Sequence, residues 1–204
     1  QLAEIEALLA GENQMLAFEP PHFGEFPLAR LPIEGQAAAN PIQATLGGSI
    51  AAGLSGPRRP YAGAARDFVL GVRLIDGTGQ PLRFGGQVIK NVAGYDVSRL
   101  MVGALGTLGL ITEVSLKVLP KPAAETTLQF ELGEAAAIEK MNQWAGQPLP
   151  LSASSWHAGL LTVRLSGAAS AVKAAQARLG GETLQDAAAF WQRLRDQATP
   201  FFDK

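Results

Sequence analysis

The 204-residue sequence contains no cysteine and only two histidines, His22 and His157, which lie far apart in the chain. The absence of cysteine excludes disulfide bonds, cysteine-ligated iron–sulfur clusters and a catalytic thiol within this sequence. A metal site or a Ser-His-Asp triad would depend on one histidine with few candidate partners. Hydrolytic chemistry is therefore disfavoured, no metal is expected, and the catalytic residues stay unassigned.

The sequence also lacks a marked charge and a long hydrophobic run. Its formal net charge is −1 and 47% of its residues are hydrophobic, which predicts an ordinary buried core and no bulk affinity for nucleic acids or anionic membranes. No apolar run reaches the roughly 18–20 residues of a membrane-spanning helix, so we expect a soluble, cytoplasmic chain without direct membrane insertion. The opening residues, QLAEIEALLA, predict a helix in a sequence that continues upstream.

Glycine, in contrast, is abundant in one part of the sequence. Of the 23 glycines, 14 fall between Gly47 and Gly109, where they crowd two apolar segments, 45–56 (TLGGSIAAGLSG) and 103–112 (GALGTLGLIT). The second segment has G-x-x-G-x-x-G spacing and precedes a predicted strand, whereas the dinucleotide fingerprint G-x-G-x-x-G precedes a helix. The pattern therefore argues against an NAD-type site, and no P-loop pattern is present.

Two interpretations of these segments stay open. The glycines of the second segment shape a bulge or tight turn before a strand, or both segments bind a flat, diphosphate-bearing cofactor through backbone N–H groups. The presence of two such segments, both short of polar side chains, favours the cofactor.

The remaining pattern predicts an α+β fold with a boundary at Pro120 and Pro122. Before the boundary, alternation and turn residues predict strands over 68–75, 80–86 and 111–119, a turn at Asp76-Gly77, and a short helix over 97–102 capped by Asp96. After it, the order strand, helix, strand, strand, helix is the beginning of a ferredoxin-like sandwich. The segments concerned are 127–132, 134–146, 151–156, 160–166 and 168–181, with a further helix over 186–197.

Three segments carry a resemblance to a known family. They are EPPHFG at 19–24, TLGGSIAAGLSGPRRPYAGAARDFVLGVRLIDGTG at 45–79, and GGQVIKNVAGYDVSRLMVGALGTLGLITEVSLKVLP at 85–120. Together they resemble the vanillyl-alcohol-oxidase (PCMH) type of FAD-binding domain, and within it the smaller flavin-binding subunits of bacterial glycolate oxidases. The resemblance implies that residues 1–122 form the second subdomain of the FAD-binding domain, an antiparallel sheet with flanking helices. It implies that 123–204 form part of the cap, and that the N-terminal subdomain with its pyrophosphate loop is absent.

The resemblance also implies the cofactor and the residues that line it. FAD would be held non-covalently, because no cysteine is available for attachment, and this chain alone would bind it weakly or not at all. The sequence departs from the family's pattern at Leu105, where many relatives carry an acidic residue. Carried over by matching motif, the FAD-lining positions are Pro41, Thr45, Gly47, Gly48, Ala51, Gly53, Leu54, Leu105, Gly106, Thr107, Gly109 and Ile111.

The activity implied is oxidation of glycolate, a small 2-hydroxy acid, to glyoxylate within a complex. The partners implied are a catalytic flavin subunit and an iron–sulfur subunit, and the complex would bring the chain to the periphery of the inner membrane. The sparse supply of catalytic side chains leaves a second hypothesis, a non-catalytic assembly or electron-relay subunit beside a catalytic paralogue. His22 and His157 are interpreted as turn residues more readily than as catalytic groups. Arg58 and Arg59 are expected in a solvated loop, the alternative being that they pair with the FAD diphosphate or a partner subunit. Trp144 and Trp191 are expected in the core.

Overall fold

The computed structural model of the chain describes residues 1–23, 43–87 and 94–202. Within these ranges the strands form a two-stranded, a three-stranded and a four-stranded sheet, all antiparallel. Helices flank the larger sheets, which confirms the predicted α+β class.

The N-terminal unit is built around the three-stranded sheet, in which strand β2 (Val69–Ile75) lies between β3 (Pro81–Gly85) and β4 (Leu110–Leu116). The predicted strands and the short helix are present, but the strand expected over 111–119 ends at Leu116. Leu119 and Pro120 instead form a separate strand, which pairs with Gln14 and Met15. The elements are α1 (Leu2–Gly11), β1 (Gln14–Met15), α2 (Leu46–Ala52), α3 (Arg59–Ala62), β2 (Val69–Ile75), β3 (Pro81–Gly85), α4 (Val97–Leu100), β4 (Leu110–Leu116) and β5 (Leu119–Pro120), with a short 3₁₀ turn at Ala65–Asp67.

The hairpin between β2 and β3 turns where Asp76 and Gly77 predict it. The Oδ1 atom of Asp76 accepts hydrogen bonds from the backbone N–H groups of Thr78 and Gln80, both at 2.9 Å, and from the Thr78 hydroxyl at 2.7 Å. These bonds, led by that of the Thr78 hydroxyl, hold the pKa of Asp76 below its ordinary value of 3.8. The turn is thus fixed by an ionised carboxylate that replaces missing backbone partners.

The C-terminal unit is a four-stranded sheet in the order β7-β8-β6-β9 with helices between its strands. This order and the chain order β-α-β-β-α-β are those of a ferredoxin-like sandwich, so the predicted beginning of that motif is confirmed and extended by a last short strand. The elements are β6 (Ala124–Glu131), α5 (Glu134–Ala145), β7 (Leu151–His157), β8 (Leu160–Gly167), α6 (Ala169–Leu179), β9 (Glu182–Thr183) and α7 (Ala187–Arg195), followed by a 3₁₀ turn at Pro200–Phe202.

Hydrophobic packing is separate in the two units. One buried cluster, which includes Phe18, Ile50 and Phe68, draws its members from residues 2–119. Two further clusters lie in the C-terminal unit and draw theirs from residues 124–179. Trp144 and Trp191 are buried, at 8% and 5% exposure, as their helical spacing predicts.

Candidate functional site

The two glycine-rich segments lie side by side in the N-terminal unit. The backbone N–H of Gly103 donates to the carbonyl of Ile50 at 3.1 Å, and that of Leu105 donates to the carbonyl of Ala51 at 2.8 Å. Gly53 has a φ of +67°, and a Cβ at this position would lie 3.1 Å from the Cα of Gly103. The absence of a side chain therefore lets the two backbones touch. We call the surface formed by residues 45–53 and 103–109 the glycine-rich face.

Helix α2 provides one side of the glycine-rich face. The hydroxyl of Thr45 accepts the N–H of Gly48 at 3.0 Å and caps the helix, and the left-handed Gly53 ends it. The buried Ile50 anchors α2 to the core of the N-terminal unit. A Cβ added to Gly47 would meet no atom within 4 Å. Since glycine lowers helix stability and nothing in the described fold crowds this position, Gly47 leaves bare backbone open to another molecule.

The loop before β4 provides the other side. Gly103, Leu105, Gly106 and Gly109 all have positive φ angles, of 85°, 53°, 76° and 143°. The left-handed conformation is costly for leucine, and the Leu105 side chain is 73% exposed. Strain of this kind persists where the surrounding structure enforces it and clusters at ligand-binding sites.

This loop passes close to the sheet and is also held by a hydrogen bond within itself. A Cβ at Gly109 would lie 2.7 Å from the carbonyl oxygen of Ile75, so glycine is required where the loop passes β2. The Thr107 hydroxyl donates to the carbonyl of Ala104 at 2.6 Å. That proton is therefore engaged, and Thr107 offers a ligand an acceptor oxygen. Ile111 pairs with Leu74 between β4 and β2.

The structure brings together most of the positions expected to line FAD. Pro41 lies outside the described residues, and Leu54 follows the cap of α2, donating its N–H to Ser49 at 3.0 Å. Both segments consist of uncharged residues, and Leu105, Leu108 and Leu110 are 73%, 49% and 65% exposed beside the bare backbone. This combination of open backbone and uncovered apolar side chains fits a flat cofactor bound by main-chain groups.

Each of the two histidines contacts another side chain of the fold. The Nε2 atom of His22 lies 2.7 Å from a carboxylate oxygen of Glu6, and its backbone N–H donates to Asp196 at 2.9 Å. His157 is exposed at the end of β7, and its ring lies edge-on to that of Phe201 with centroids 6.3 Å apart. Both histidines therefore have partners within the fold, but neither lies in a turn: His157 is the last residue of β7, and His22 lies in an irregular segment.

Arg59 is exposed, as expected, but it begins helix α3 and does not lie in a loop, and the expectation of a solvated residue is wrong for Arg58, which is 8% exposed. The Nε atom of Arg58 donates to Glu19 at 2.9 Å, and its terminal nitrogens donate to Ser166 and Glu125. Sequence reasoning missed Glu19, although EPPHFG and GPRRP were both conspicuous. Glu19 and Arg58 have opposite charges and each is next to a proline, which could have suggested that they pair. They lie 39 positions apart in the sequence, however, so their proximity is not evident from it.

A cavity of about 350 Å³ lies at the junction of the two units and does not include the glycine-rich face. It is lined by Glu19, Glu125, Arg164, Ala188, Trp191, Gln192 and Arg195. Within the described ranges, no group of three or more His, Asp or Glu side chains is arranged to hold a metal ion. No helix in the same ranges has the length and hydrophobicity needed to span a membrane.

Comparison with known sequences finds similarity to an FAD-binding family and to glycolate oxidase subunits. Residues 33–85 match the family described as FAD binding domain. The chain is 49% identical over 201 residues to glycolate oxidase subunit GlcE of Escherichia coli (strain K12), covering 98% of this chain and 52% of that protein. It is 44% identical over 95 residues to glycolate oxidase subunit GlcD of Bacillus subtilis (strain 168), covering 46% of this chain and 20% of that protein. The chain thus spans about half the length of its GlcE relative.

Comparison with solved structures gives the same fold. An alkyldihydroxyacetonephosphate synthase superposes with a TM-score of 0.64 at 18% sequence identity, over 96% of this chain and 41% of the synthase. The likeness agrees with the α+β fold predicted from the sequence.

Proposed function

Because the chain is a homologue of glycolate oxidase subunit GlcE over nearly its whole length, we propose that it forms the flavin-binding part of such a subunit, in a complex that oxidises glycolate to glyoxylate. The observation that supports this most directly is the contact between α2 and the loop before β4, which joins the two glycine-rich segments at Gly53 and Gly103. When bound, FAD supplies the hydride acceptor for the oxidation.

In this proposal, the chain binds the cofactor through backbone groups and uncharged side chains. We infer that Gly47 and Gly106 present open backbone to FAD, since a Cβ at either position would meet nothing within 4 Å in the described fold. Thr107 would accept a hydrogen bond, and the exposed Leu105 and Leu108 would cover apolar parts of the cofactor. We expect the binding to be non-covalent as far as this chain is concerned, since its sequence offers no cysteine for attachment and neither histidine belongs to the glycine-rich face.

We further propose that residues 1–122 belong to the FAD-binding domain and 123–204 to the cap. The separate hydrophobic clusters on either side of residues 120–123 support this division. In the complex, the subunit would work beside a catalytic flavin subunit and an iron–sulfur subunit, in the cytoplasm and at the periphery of the inner membrane. This 204-residue chain alone would bind FAD weakly or not at all.

A second candidate function is an assembly or electron-relay subunit whose flavin does not meet glycolate. It is favoured by the composition of the two segments, 45–56 and 103–112, which contain no titratable side chain. Oxidation of a 2-hydroxy acid ordinarily uses a cation for the carboxylate and a base for the hydroxyl. Under this hypothesis those groups lie in the catalytic paralogue.

The two candidates are separated by mixing the isolated full-length subunit, loaded with FAD, with glycolate in the absence of oxygen. Direct oxidation predicts rapid bleaching of the flavin absorbance, on the scale of the turnover of the complete complex. If the complex is active while the isolated subunit keeps its absorbance, the relay function is correct. If omission of the subunit leaves glycolate oxidation by the complex unchanged, both proposals fail.

A further inference from the structure

Four charged side chains form an alternating cluster where the two units meet. Glu19 and Arg58 belong to the N-terminal unit, and Glu125 and Arg164 to strands β6 and β8 of the C-terminal unit. Arg58 donates to Glu19 at 2.9 Å and to Glu125, and Arg164 donates to Glu19 at 2.9 Å. We call these four residues the charge cluster. Its formal charges cancel, and two of its three ion pairs cross from one unit to the other.

The charge cluster is largely removed from water. The side chains of Arg58, Arg164 and Glu19 are 10%, 4% and 18% exposed, and that of Glu125 is 37% exposed. Separating buried ions from their partners leaves uncompensated charge and is strongly unfavourable. The two arginines therefore hold the carboxylates of Glu19 and Glu125 in one arrangement.

The backbone around Glu19 is shaped for these contacts. Glu19 has a left-handed φ of +48°, uncommon outside glycine. The N–H of Gly56 donates to Phe18, and a Cβ at Gly56 would lie 2.3 Å from the carbonyl oxygen of Glu19. The segment before Arg58 thus packs directly on the residue that carries the carboxylate, and the Arg58 backbone N–H also donates to that carboxylate at 2.9 Å.

The buried apolar clusters do not extend across the junction, where α3 of the N-terminal unit lies against β7 of the C-terminal unit. The hydrophobic clusters belong to one unit or the other, and the charge cluster borders a cavity of about 350 Å³. Trp191 also lines the cavity, and its ring packs against the guanidinium of Arg164, with 4.9 Å between the guanidinium carbon and the ring centroid. Interfaces of this polar kind between domains permit relative motion unless specific contacts oppose it.

Besides the bond from Arg58 to Ser166, a polar contact between Asp196 and His22 crosses at the edge of the junction. Asp196, at the end of α7, accepts the backbone N–H of His22 and is paired with Arg195 at 3.0 Å. Burial lowers the pKa of Arg195, but the hydrogen bonds and charge of Asp196, with the charges of Glu6 and Glu19, raise it overall. Arg195 stays cationic, and its partner Asp196 remains available to His22.

We propose that Glu19 is a positioning residue that fixes the orientation of the C-terminal unit relative to the glycine-rich face. It does so by accepting Arg58 from its own unit and Arg164 from the other with a single carboxylate. The consequence for flavin chemistry, a cap held at one angle over the cofactor, rests on the proposed function. The orientation itself does not depend on FAD.

The absence of cysteine allows this orientation to be measured directly. The exposed residues Arg83, on β3, and Glu139, on α5, are replaced by cysteine and spin-labelled, and the distance between the labels is measured by double electron–electron resonance without FAD. We expect one narrow distance distribution with Glu19 present and its loss in Glu19→Gln, where the neutral amide no longer holds two arginines. A residue that merely stabilised its own unit would lower the unfolding midpoint without broadening the distance.

Two further variants complete the experiment, one as a control and one as a second change in the charge cluster. Glu12→Gln removes an exposed carboxylate of the same unit and should retain the narrow distribution. Glu125→Gln weakens the cluster at its most exposed member and should broaden the distribution even if Glu19→Gln does not fold. The proposal is overturned by a distribution that is already broad with Glu19 present, by equal broadening in Glu12→Gln, or by narrow distributions in every folded cluster variant. None of these outcomes bears on whether the complete subunit binds FAD.

Discussion

Gly53 and Gly47 are both glycines of the first segment, yet their surroundings differ. Gly53 is left-handed and pressed against the backbone of Gly103, whereas Gly47 lies within α2 with open space beside it. The difference separates a glycine that the fold requires from one that only a ligand would require.

At Gly53 we predict that Gly53→Ala destabilises the chain by about 1–3 kcal/mol, because alanine is strained at positive φ and its Cβ meets backbone. The matched variant Gly47→Ala should stabilise the chain by about 0.5–1 kcal/mol, because alanine is the better helix former. Urea unfolding of both variants measures the two free energies. Equal effects would show that the contact between the segments is not as described.

At the level of single residues, the sequence predicted only part of the site. A cofactor shared by the two segments was predicted from their composition, whereas helix α2 was not predicted, although its cap at Thr45 follows local rules. The left-handed conformation of Leu105 could not be predicted, since leucine has no preference for it. In the structure the backbone N–H of Leu105 is held by the carbonyl of Ala51, which is distant in the sequence. The role of Glu19 was equally hidden, because its partner Arg164 is 145 positions away.

Elements whose cause is local were predicted well. The β2–β3 hairpin follows from alternation and from the turn residues Asp76 and Gly77, and α4 follows from its cap at Asp96, which accepts the N–H of Arg99 at 3.0 Å. Short strands that exist only through distant pairing were not predicted. The two-residue strand at Gln14 is set by its partner at Pro120, and neither has a pattern long enough to reveal it.

The hairpin turn predicts a pH dependence. The pKa of Asp76 is lowered in the folded state, so the turn contributes stability above the unfolded-state pKa and loses it as pH falls through the lower folded-state pKa. In urea unfolding at a series of pH values, Asp76→Asn should therefore be less stable than the parent chain at neutral pH and lose less stability below about pH 4. The exposed control Glu139→Gln should keep the parent pH dependence. Parallel curves for Asp76→Asn and the parent would refute the role of the carboxylate.

For the whole molecule, the fold class and the flavoprotein relationship could be predicted, but the arrangement of the two units could not. Sequence motifs such as KNVAGYDVSRLMVGALGTLG, at residues 90–109, carry the family resemblance. The angle between the units depends on side chains from β6, β8 and two separate loops, brought together only by folding. The charge cluster is therefore visible in the structure alone.

The central claim is that the glycine-rich face holds FAD in the complete subunit. It predicts that the purified full-length protein shows flavin absorbance at about one FAD per chain, and that denaturation releases the flavin unmodified because attachment is non-covalent. It also predicts that Gly47→Val lowers the affinity for FAD by about tenfold or more, since a misplaced side chain costs a bound ligand on the order of 1–3 kcal/mol.

The most direct test compares FAD binding by Gly47→Val and Gly11→Val in the full-length subunit. Both glycines are helical, and a Cβ at either would meet nothing within 4 Å, so both variants should fold. Gly11 lies at the end of α1, outside the glycine-rich face, and its variant should bind FAD like the parent. Loss of affinity in Gly47→Val alone is the predicted result. Undiminished FAD binding by a folded Gly47→Val variant, or a parent protein without flavin, would contradict the account.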